Sequence, residues 1–111
     1  MATLYGHTDS VNMANFTNDG KSVVSISSDS SLRCWNVLNG KEKCVTKGRN
    51  FHTGEILSLS LHDSRSLALT GGNDNIYCLS NYEDGNVYNY SKVFEGSVEG
   101  TCFSKMLIYK K

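Results

Sequence analysis

The sequence predicts an all-β fold built from repeated four-stranded antiparallel units. Two stretches of the 111-residue chain match at a constant offset of 45 residues, in polar and apolar positions alike. The matched pairs include His7 with His52, Ser25 with Thr70, Asp29 with Asp74, Val11 with Ile56, and Phe16 with Leu61. Turn-forming Gly, Asn and Asp residues punctuate the chain at short intervals, and no long segment carries the 3.6-residue apolar period of a helix.

The first unit is predicted to contain four strands. Val11 to Phe16 alternates apolar with polar or small residues, as a half-buried strand does. Further strands are expected at residues 22–27, 31–36 and 41–46, separated by turns at 18–20, 28–30 and 39–40. Asp19-Gly20 is a strong hairpin signal, because glycine adopts a positive φ without steric cost.

The second unit repeats this plan. Strands are predicted at residues 56–61, 66–70, 76–80 and 86–90, with turns at 62–64, 72–74 and 84–85. A third unit begins where Val98 and Phe103 repeat the spacing of Val11 and Phe16, and it continues with a strand at 106–109. Residues 47–50 and 95–97 are expected to connect the units. Each full unit has the size of one β-propeller blade, so we predict blades over residues 1–50 and 51–94 and the start of a third over 95–111.

Composition narrows the class of function. Eleven basic residues balance eleven acidic ones, so the chain lacks the positive charge that drives non-specific nucleic-acid binding. No apolar run is long enough for a membrane-spanning helix and the first residues do not form a signal peptide, so we expect a cytoplasmic protein, with the nucleus as the alternative. Without a Cys-x-x-Cys pair a zinc ribbon is not expected. We predict free, buried thiols at Cys34, Cys44, Cys78 and Cys102, and the even count leaves a disulfide framework as the alternative.

The span from Gly6-His7 to Trp35-Asn36 resembles the Gly-His to Trp-Asp span of WD-repeat proteins. In that family, a hydrogen-bonded set of His, Ser or Thr, Asp and Trp often braces a blade. The resemblance implies such sets at His7, Ser25, Asp29 and Trp35, and at His52, Thr70 and Asp74. In the second unit Ser80-Asn81 stands in place of Trp-Asp, so that set is expected to be incomplete.

A narrower resemblance is carried by residues 53–58, 68–72, 79–85 and 96–99, which read Thr-Gly-Glu-Ile-Leu-Ser, Ala-Leu-Thr-Gly-Gly, Leu-Ser-Asn-Tyr-Glu-Asp-Gly and Gly-Ser-Val-Glu. They are similar to interior blades of the fungal ribosome-assembly WD-repeat chaperones and the angio-associated migratory cell protein group. That resemblance implies a non-enzymatic escort that holds a new large-subunit ribosomal protein. A general WD-repeat adaptor in another complex is the alternative.

The His and Asp pairs allow a second interpretation, as catalytic bases or metal ligands with carboxylate partners. Because both pairs recur at the blade period, we favour structural braces, and we expect no catalytic residue, metal or cofactor. Trp35 similarly allows two roles, as an exposed binding anchor or as a residue packed within its blade, and its place beside Cys34 in a predicted strand favours packing.

The turns at one end of the predicted blades are the candidate partner surface. By resemblance to the family, partners dock near the strand after Gly-His and near the turn before the third strand. The candidates there are Asp9, Ser10, Ser28, Glu55 and Asn73. Acidic side chains on that surface suit a protein or basic peptide rather than nucleic acid, a membrane or a small-molecule substrate. The resemblance implies that this partner is a ribosomal protein.

The count of strands raises the question of ring closure. Propellers use about four to eight blades, and two blades with part of a third do not close a ring. The sequence therefore suggests a fragment of an incomplete propeller whose chain continues on one or both sides. The alternatives are self-assembly and a truncated product without independent activity.

Overall fold

The fold consists of antiparallel β-sheets that follow one another along the chain. The computed structural model describes residues 6–48, 50–62, 65–92, 98–102 and 107–110. Within these ranges there are two four-stranded sheets and one two-stranded sheet. Strands that are consecutive in the chain are neighbours in each sheet, so the four-stranded sheets are meanders. The predicted all-β class and its four-stranded antiparallel units are confirmed.

The ten strands are numbered in chain order. The first sheet contains β1 (Val11–Phe16), β2 (Ser22–Ser27), β3 (Leu32–Asn36) and β4 (Glu42–Thr46). The second contains β5 (Ile56–His62), β6 (Leu67–Gly72), β7 (Ile76–Asn81) and β8 (Val87–Lys92). The third contains β9 (Val98–Cys102) and β10 (Leu107–Lys110).

The strands lie where the sequence predicts them, with small differences at their ends. Strand β6 continues through Gly72, which the sequence assigned to a turn, and β8 begins one residue late and continues to Lys92. Phe103, Met106, part of the turn at 62–64 and the connection at 95–97 lie outside the described residues. The prediction of blade boundaries at residues 50 and 94 stays a prediction.

Corresponding turns of the two large sheets use the same backbone conformation. Gly40 and Gly85, which lie 45 residues apart, have φ values of 70° and 80°. Ser30 and Asn75, also 45 residues apart, have φ values of 70° and 65°. A left-handed residue at each site lets the chain reverse within a short turn. The sequence repeat is therefore also a repeat of backbone geometry.

The expectation that the first strand is half-buried is wrong. All six residues of β1 are exposed, and Val11 and Phe16 are 53% and 67% exposed. Alternation in the sequence identifies a strand correctly, but burial also requires a second layer. β1 is an edge strand, and among the described residues no further sheet covers the side on which Val11 and Phe16 lie.

One apolar core joins the first two sheets. Side chains from one side of the first sheet pack against side chains from the facing side of the second, and Phe51, in the connection between them, completes the layer. The cluster comprises Val24, Ile26, Leu32, Cys34, Phe51, Ile56, Leu59, Ala68, Ile76, Cys78 and Tyr82. The third sheet packs through β9 against β5 and β6. Each four-stranded unit thus buries its apolar surface against the next one.

Three of the predicted free thiols lie in the described side chains. Cys34, Cys44 and Cys78 are free, and Cys34 and Cys78 are buried as predicted. The prediction of burial is wrong for Cys44, which is half-buried. Burial raises the pKa of the Cys34 thiol to about 11 and that of the Cys78 thiol to about 12. None of the described segments forms a helix that is long and apolar enough to cross a membrane.

Candidate functional site

A chain of hydrogen bonds crosses the first sheet from Trp35 to Asp29. The indole Nε1 of Trp35 donates to Ser25 Oγ at 2.8 Å. Ser25 Oγ lies 2.7 Å from His7 Nε2, and His7 Nδ1 lies 2.9 Å from Asp29 Oδ2. Because the carboxylate only accepts, a neutral His7 ring donates from Nδ1 and accepts the Ser25 proton at Nε2. The four side chains are thereby satisfied by one another.

Asp29 anchors the segment that precedes β1. Its carboxylate accepts hydrogen bonds from His7, from the Thr8 amide and from both the amide and the hydroxyl of Ser31. Burial alone raises the pKa of Asp29, but the donors from Ser31, Thr8 and His7 outweigh burial and hold that pKa far below the usual range. The anionic form therefore links the segment before β1 to the turn between β2 and β3.

Glycine is required where this segment crosses the tryptophan. A Cβ atom added to Gly6 would lie 2.7 Å from Cη2 of Trp35 and 3.0 Å from Nη1 of Arg33. Both distances are shorter than ordinary van der Waals contact. The Gly-His pair thus has a steric basis: the backbone at Gly6 lies over Trp35, and His7 enters the hydrogen-bond chain.

The second sheet repeats the set without its tryptophan. His52 Nε2 lies 2.9 Å from Thr70 Oγ1, and His52 Nδ1 lies 3.2 Å from both carboxylate oxygens of Asp74. Thr53 donates its amide to Asp74 at 2.7 Å. Ser80 occupies the position that Trp35 holds in the first sheet, and its buried Oγ has no hydrogen-bond partner among the described residues.

Asp74 has the same electrostatic character as Asp29. Burial raises its pKa, but the hydrogen bond and charge of His52 and the amides of Gly54 and Thr53 outweigh burial and lower the pKa overall. The carboxylate therefore fastens the start of the second unit to the turn between β6 and β7. The two sets perform the same task 45 residues apart.

The order Asp29, His7, Ser25 has the hydrogen-bond pattern of a nucleophilic triad, which is the strongest argument for catalysis. Ser25 is only 3% exposed, and its oxygen also accepts the Trp35 proton. In the second sheet the corresponding hydroxyl belongs to Thr70, which is fully buried. Both serve as internal braces that satisfy buried polar groups. In the described part of the chain, no group of three or more His, Cys, Asp or Glu side chains is arranged to hold a metal ion.

The predicted partner-surface residues lie at one end of the sheets. Ser28 Oγ donates to Glu55 Oε1 at 2.6 Å, and Asn73 Nδ2 lies 3.4 Å from Glu55 Oε2. Ser10 adjoins this group, because its carbonyl accepts the Ser28 amide at 2.9 Å. Asp9 precedes it, is exposed, and accepts the Ser10 amide at 2.8 Å. Glu55 is half-buried, so Asp9 is the more accessible carboxylate.

Two residues at this end of the sheets, Asn12 and Ser30, were not predicted from the sequence. Asn12 Nδ2 donates to the Ile56 carbonyl at 2.8 Å and lies 3.5 Å from Glu55 Oε1. Ser30 Oγ donates to the Gly54 carbonyl at 2.8 Å. Both bonds join the first sheet to the second. In the sequence Asn12 is one more polar residue in an alternating strand, and nothing there signals a contact 44 residues away.

The arrangement of the sheets and their polar sets defines the class of protein. Four-stranded meanders stacked face to face, with polar braces recurring in register, are the blades of a β-propeller type of repeat protein. Residues 1–36 match the family described as "WD domain, G-beta repeat". The structure as a whole has the fold of solved WD40 repeats. That fold is generally a non-catalytic scaffold.

The solved structures share the fold at low sequence identity. The chain superposes on the structure of U3-55K with a TM-score of 0.80 and 19% identity, covering 90% of this chain and 32% of that one. It superposes on the WD40 repeats of RRP9 with a TM-score of 0.81 and 18% identity, covering 90% of this chain and 31% of that one.

Two relatives with known names match this chain in sequence, one over 87 residues and the other over 35. The chain is 33% identical over 87 residues to pre-mRNA-processing factor 19 of Bos taurus, which covers 78% of this chain and 17% of that protein. It is 49% identical over 35 residues to restriction of telomere capping protein 1 of Debaryomyces hansenii, which covers 32% of this chain and 2% of that protein. The chain therefore spans a small part of the length of these relatives.

Proposed function

We propose that this chain is a non-enzymatic scaffold for protein binding and that it engages its partner at the end of the sheets defined above. The carrying observation is the continuous polar group from Ser10 through Ser28 and Glu55 to Asn73, which spans both sheets. Because this group is held by bonds between the sheets, it presents a rigid surface that loses little entropy on binding.

The charge of this end favours a basic partner. Asp9 is an exposed carboxylate, and Glu55 adds a second carboxylate whose hydrogen-bond donors come from uncharged side chains. Neither carboxylate accepts one of these hydrogen bonds from a lysine or arginine. The two negative charges therefore create a potential that attracts a basic peptide. The partner class is therefore a protein or peptide rich in lysine and arginine.

The resemblance of residues 53–58, 68–72, 79–85 and 96–99 to the ribosome-assembly WD-repeat chaperones supports a more specific role. In this role the chain holds a newly made large-subunit ribosomal protein in the cytoplasm before assembly. A basic client agrees with the negative potential at the candidate surface.

The similarity to pre-mRNA-processing factor 19 supports a second candidate. An identity of 33% over 87 residues, 78% of this chain, is compatible with an adaptor in a pre-mRNA-processing complex. The two candidates share the scaffold and the binding surface and differ in the partner.

The experiment measures binding of a fluorescent lysine- and arginine-rich peptide by polarisation. We expect the double variant Asp9→Lys/Glu55→Lys to bind roughly tenfold more weakly or worse, because attraction is replaced by repulsion. Asp84→Lys, in the turn at the opposite end of the second sheet, is the control with the same type of charge change and should bind as the unaltered chain does. Unchanged binding by the double variant would refute the assignment of this surface.

Affinity purification from cells distinguishes the two candidate roles, and the same variants serve as its controls. Affinity purification of the tagged chain should enrich large-subunit ribosomal proteins if the chaperone role is right, and pre-mRNA-processing proteins if the adaptor role is right. In either case, the double variant should lose the enrichment and Asp84→Lys should retain it. Fluorescence microscopy of the tagged chain tests the cytoplasmic location.

A further inference from the structure

A buried phenylalanine precedes the histidine of the second sheet. In the first sheet the residue before His7 is Gly6, and 45 residues later the residue before His52 is Phe51. Phe51 is only 1% exposed and belongs to the core between the sheets. A glycine in the first unit thus corresponds to a large aromatic residue in the second.

Two side chains next to this position differ in the opposite sense. A Cβ atom added to Gly6 would lie 2.7 Å from Cη2 of Trp35 and 3.0 Å from Nη1 of Arg33, both in β3. The residues that correspond to them in β7 are Ser80 and Cys78, which are fully buried. Residues two positions apart in a strand project from the same side of the sheet. The second sheet therefore has two small side chains where the first sheet has two large ones.

The histidine of each sheet nevertheless contacts an aromatic ring. In the first sheet the rings of His7 and Trp35 meet edge to face, with their centroids 6.0 Å apart and their planes at 62°. In the second sheet the rings of His52 and Phe51 meet edge to face, at 4.9 Å and 76°. Aromatic rings attract one another in this arrangement. The ring against the histidine thus comes from β3 in the first unit and from the segment before β5 in the second.

The ring of His52 belongs to the set that holds the start of the second unit. Its Nδ1 lies 3.2 Å from the carboxylate of Asp74, which also accepts the amides of Thr53 at 2.7 Å and Gly54 at 3.0 Å. The next residue is Glu55, which accepts a hydrogen bond from the first sheet. An aromatic ring that fixes the orientation of His52 therefore acts on the whole segment from Thr53 to Glu55.

We propose that Phe51 is a positioning residue, which replaces the tryptophan missing from the second sheet and holds His52 in the orientation that bonds Asp74. Its ring fills the space that the small β7 side chains leave, and its contact with His52 restricts rotation of the imidazole. Because Glu55 belongs to the proposed partner surface, Phe51 also positions part of that surface. Only this last link rests on the proposed function. Stability and hydrogen exchange report on Phe51 whether or not a basic peptide binds.

Transfer of the first sheet's residues to the second sheet tests the replacement. Ser80→Trp alone should lower the urea midpoint of the full chain, because Phe51 already fills the space. Phe51→Gly alone should lower the midpoint because it leaves a cavity. The double variant Phe51→Gly/Ser80→Trp recreates the combination of Gly6 and Trp35, so its midpoint should be higher than that of either single variant. A midpoint lowered by the sum of the two single losses overturns the proposal.

Ile76→Ala is the matched control for the room that a core deletion creates. Ile76 is buried in the same strand as Ser80, four residues and about 13 Å away. Ile76→Ala/Ser80→Trp should therefore have a lower midpoint than Ser80→Trp alone. If a single variant does not fold, Phe51→Leu and Ser80→Val allow the same comparison with smaller changes. Ser80→Val should then cost less in the Phe51→Leu background, and an equal cost in both backgrounds overturns the proposal.

Hydrogen exchange of single amides, measured by NMR, tests the positioning of the segment before β5. The amide of Thr53 donates to Asp74, and the amide of Thr8 donates to Asp29 in the same way in the first sheet. Phe51→Leu should speed exchange at Thr53 roughly tenfold and leave Thr8 within about twofold of the unaltered chain, because only the second set loses its aromatic ring. Equal acceleration at both amides would indicate a general loss of stability. That result, or no acceleration at Thr53, overturns the positioning role.

Discussion

Trp35 donates its indole proton to the hydroxyl of Ser25 at 2.8 Å, and the corresponding pair in the second sheet, Ser80 and Thr70, makes no such bond. The two sheets are otherwise braced alike, through a histidine and an aspartate in each. Because one sheet has the tryptophan and the other lacks it, the contribution of the tryptophan to stability can be measured in this chain. It also shows that the His and Asp members hold their positions in the second sheet without it.

Trp35→Phe should lower the free energy of unfolding by about 1–3 kcal/mol, because it removes the donor to a buried hydroxyl. Ser80→Ala is the matched control, since it deletes a buried hydroxyl that has no partner among the described residues. That variant should be neutral or slightly more stable. Urea unfolding followed by circular dichroism measures both. If both variants lost the same unfolding free energy, the hydrogen bond from Trp35 to Ser25 would not account for the loss.

Gly6→Ala should destabilise the chain by about 1–3 kcal/mol, because the added Cβ lies 2.7 Å from Cη2 of Trp35. In the Trp35→Phe background the atom that clashes is absent, so the same substitution should cost clearly less. A double-mutant cycle in urea compares the two costs. If Gly6→Ala cost the same unfolding free energy in both backgrounds, the contact with Trp35 would not be the cause of the destabilisation.

The stability of the chain should fall steeply in acid. The pKa values of Asp29 and Asp74 are lower in the folded chain than in the unfolded chain, so unfolding takes up protons at low pH. Their contribution is fully present above about pH 5 and is lost as the pH falls through 4 towards the folded-state values. Urea midpoints between pH 7 and pH 3 measure this loss.

Asp29→Asn identifies the group responsible for part of that pH dependence. The variant should be less stable at pH 7 and should show a smaller fall in midpoint between pH 5 and pH 3. Asp9→Asn, at an exposed carboxylate outside both sets, is the control and should keep the full dependence. An Asp29→Asn variant with the same slope as the unaltered chain would contradict this explanation.

Ser28 and Glu55 should be energetically coupled across the two sheets. Their 2.6 Å hydrogen bond involves a carboxylate, so a cycle of Ser28→Ala, Glu55→Ala and the double variant should give a coupling energy of about 1 kcal/mol. Ser10→Ala serves as a control, because Ser10 contacts Ser28 through its carbonyl rather than its side chain. Additive effects of Ser28→Ala and Glu55→Ala would mean that the bond does not hold the sheets together.

The thiols of Cys34 and Cys78 should resist alkylation in the folded chain. Burial raises their pKa values to about 11 and about 12, so the reactive thiolate is scarce at pH 8 and access is blocked. Mass spectrometry after iodoacetamide treatment should find both residues modified in urea and unmodified without it. Rapid labelling under native conditions would show that the core between the sheets opens readily.

Much of the strand pattern follows from short-range rules. Alternation and turn residues place the strands within one or two positions, since hairpins between consecutive strands need only local signals. The polar sets were expected from the 45-residue repeat and from family resemblance, and the structure brings His7 to Ser25 and Asp29. Asn12 and Ser30 gave no sequence signal, because their acceptors are backbone carbonyls of the next sheet.

The sequence by itself determined the all-β class, the repeat and its turns, because these depend on residues close together in the chain. It did not determine which apolar faces are buried. Val11 and Ile56 occupy equivalent positions, yet one is 53% exposed and the other fully buried. Burial depends on whether a second sheet lies against that side, which only the stacking of sheets decides. The tertiary structure therefore decided where the core lies and which apolar side chains of the described residues stay exposed.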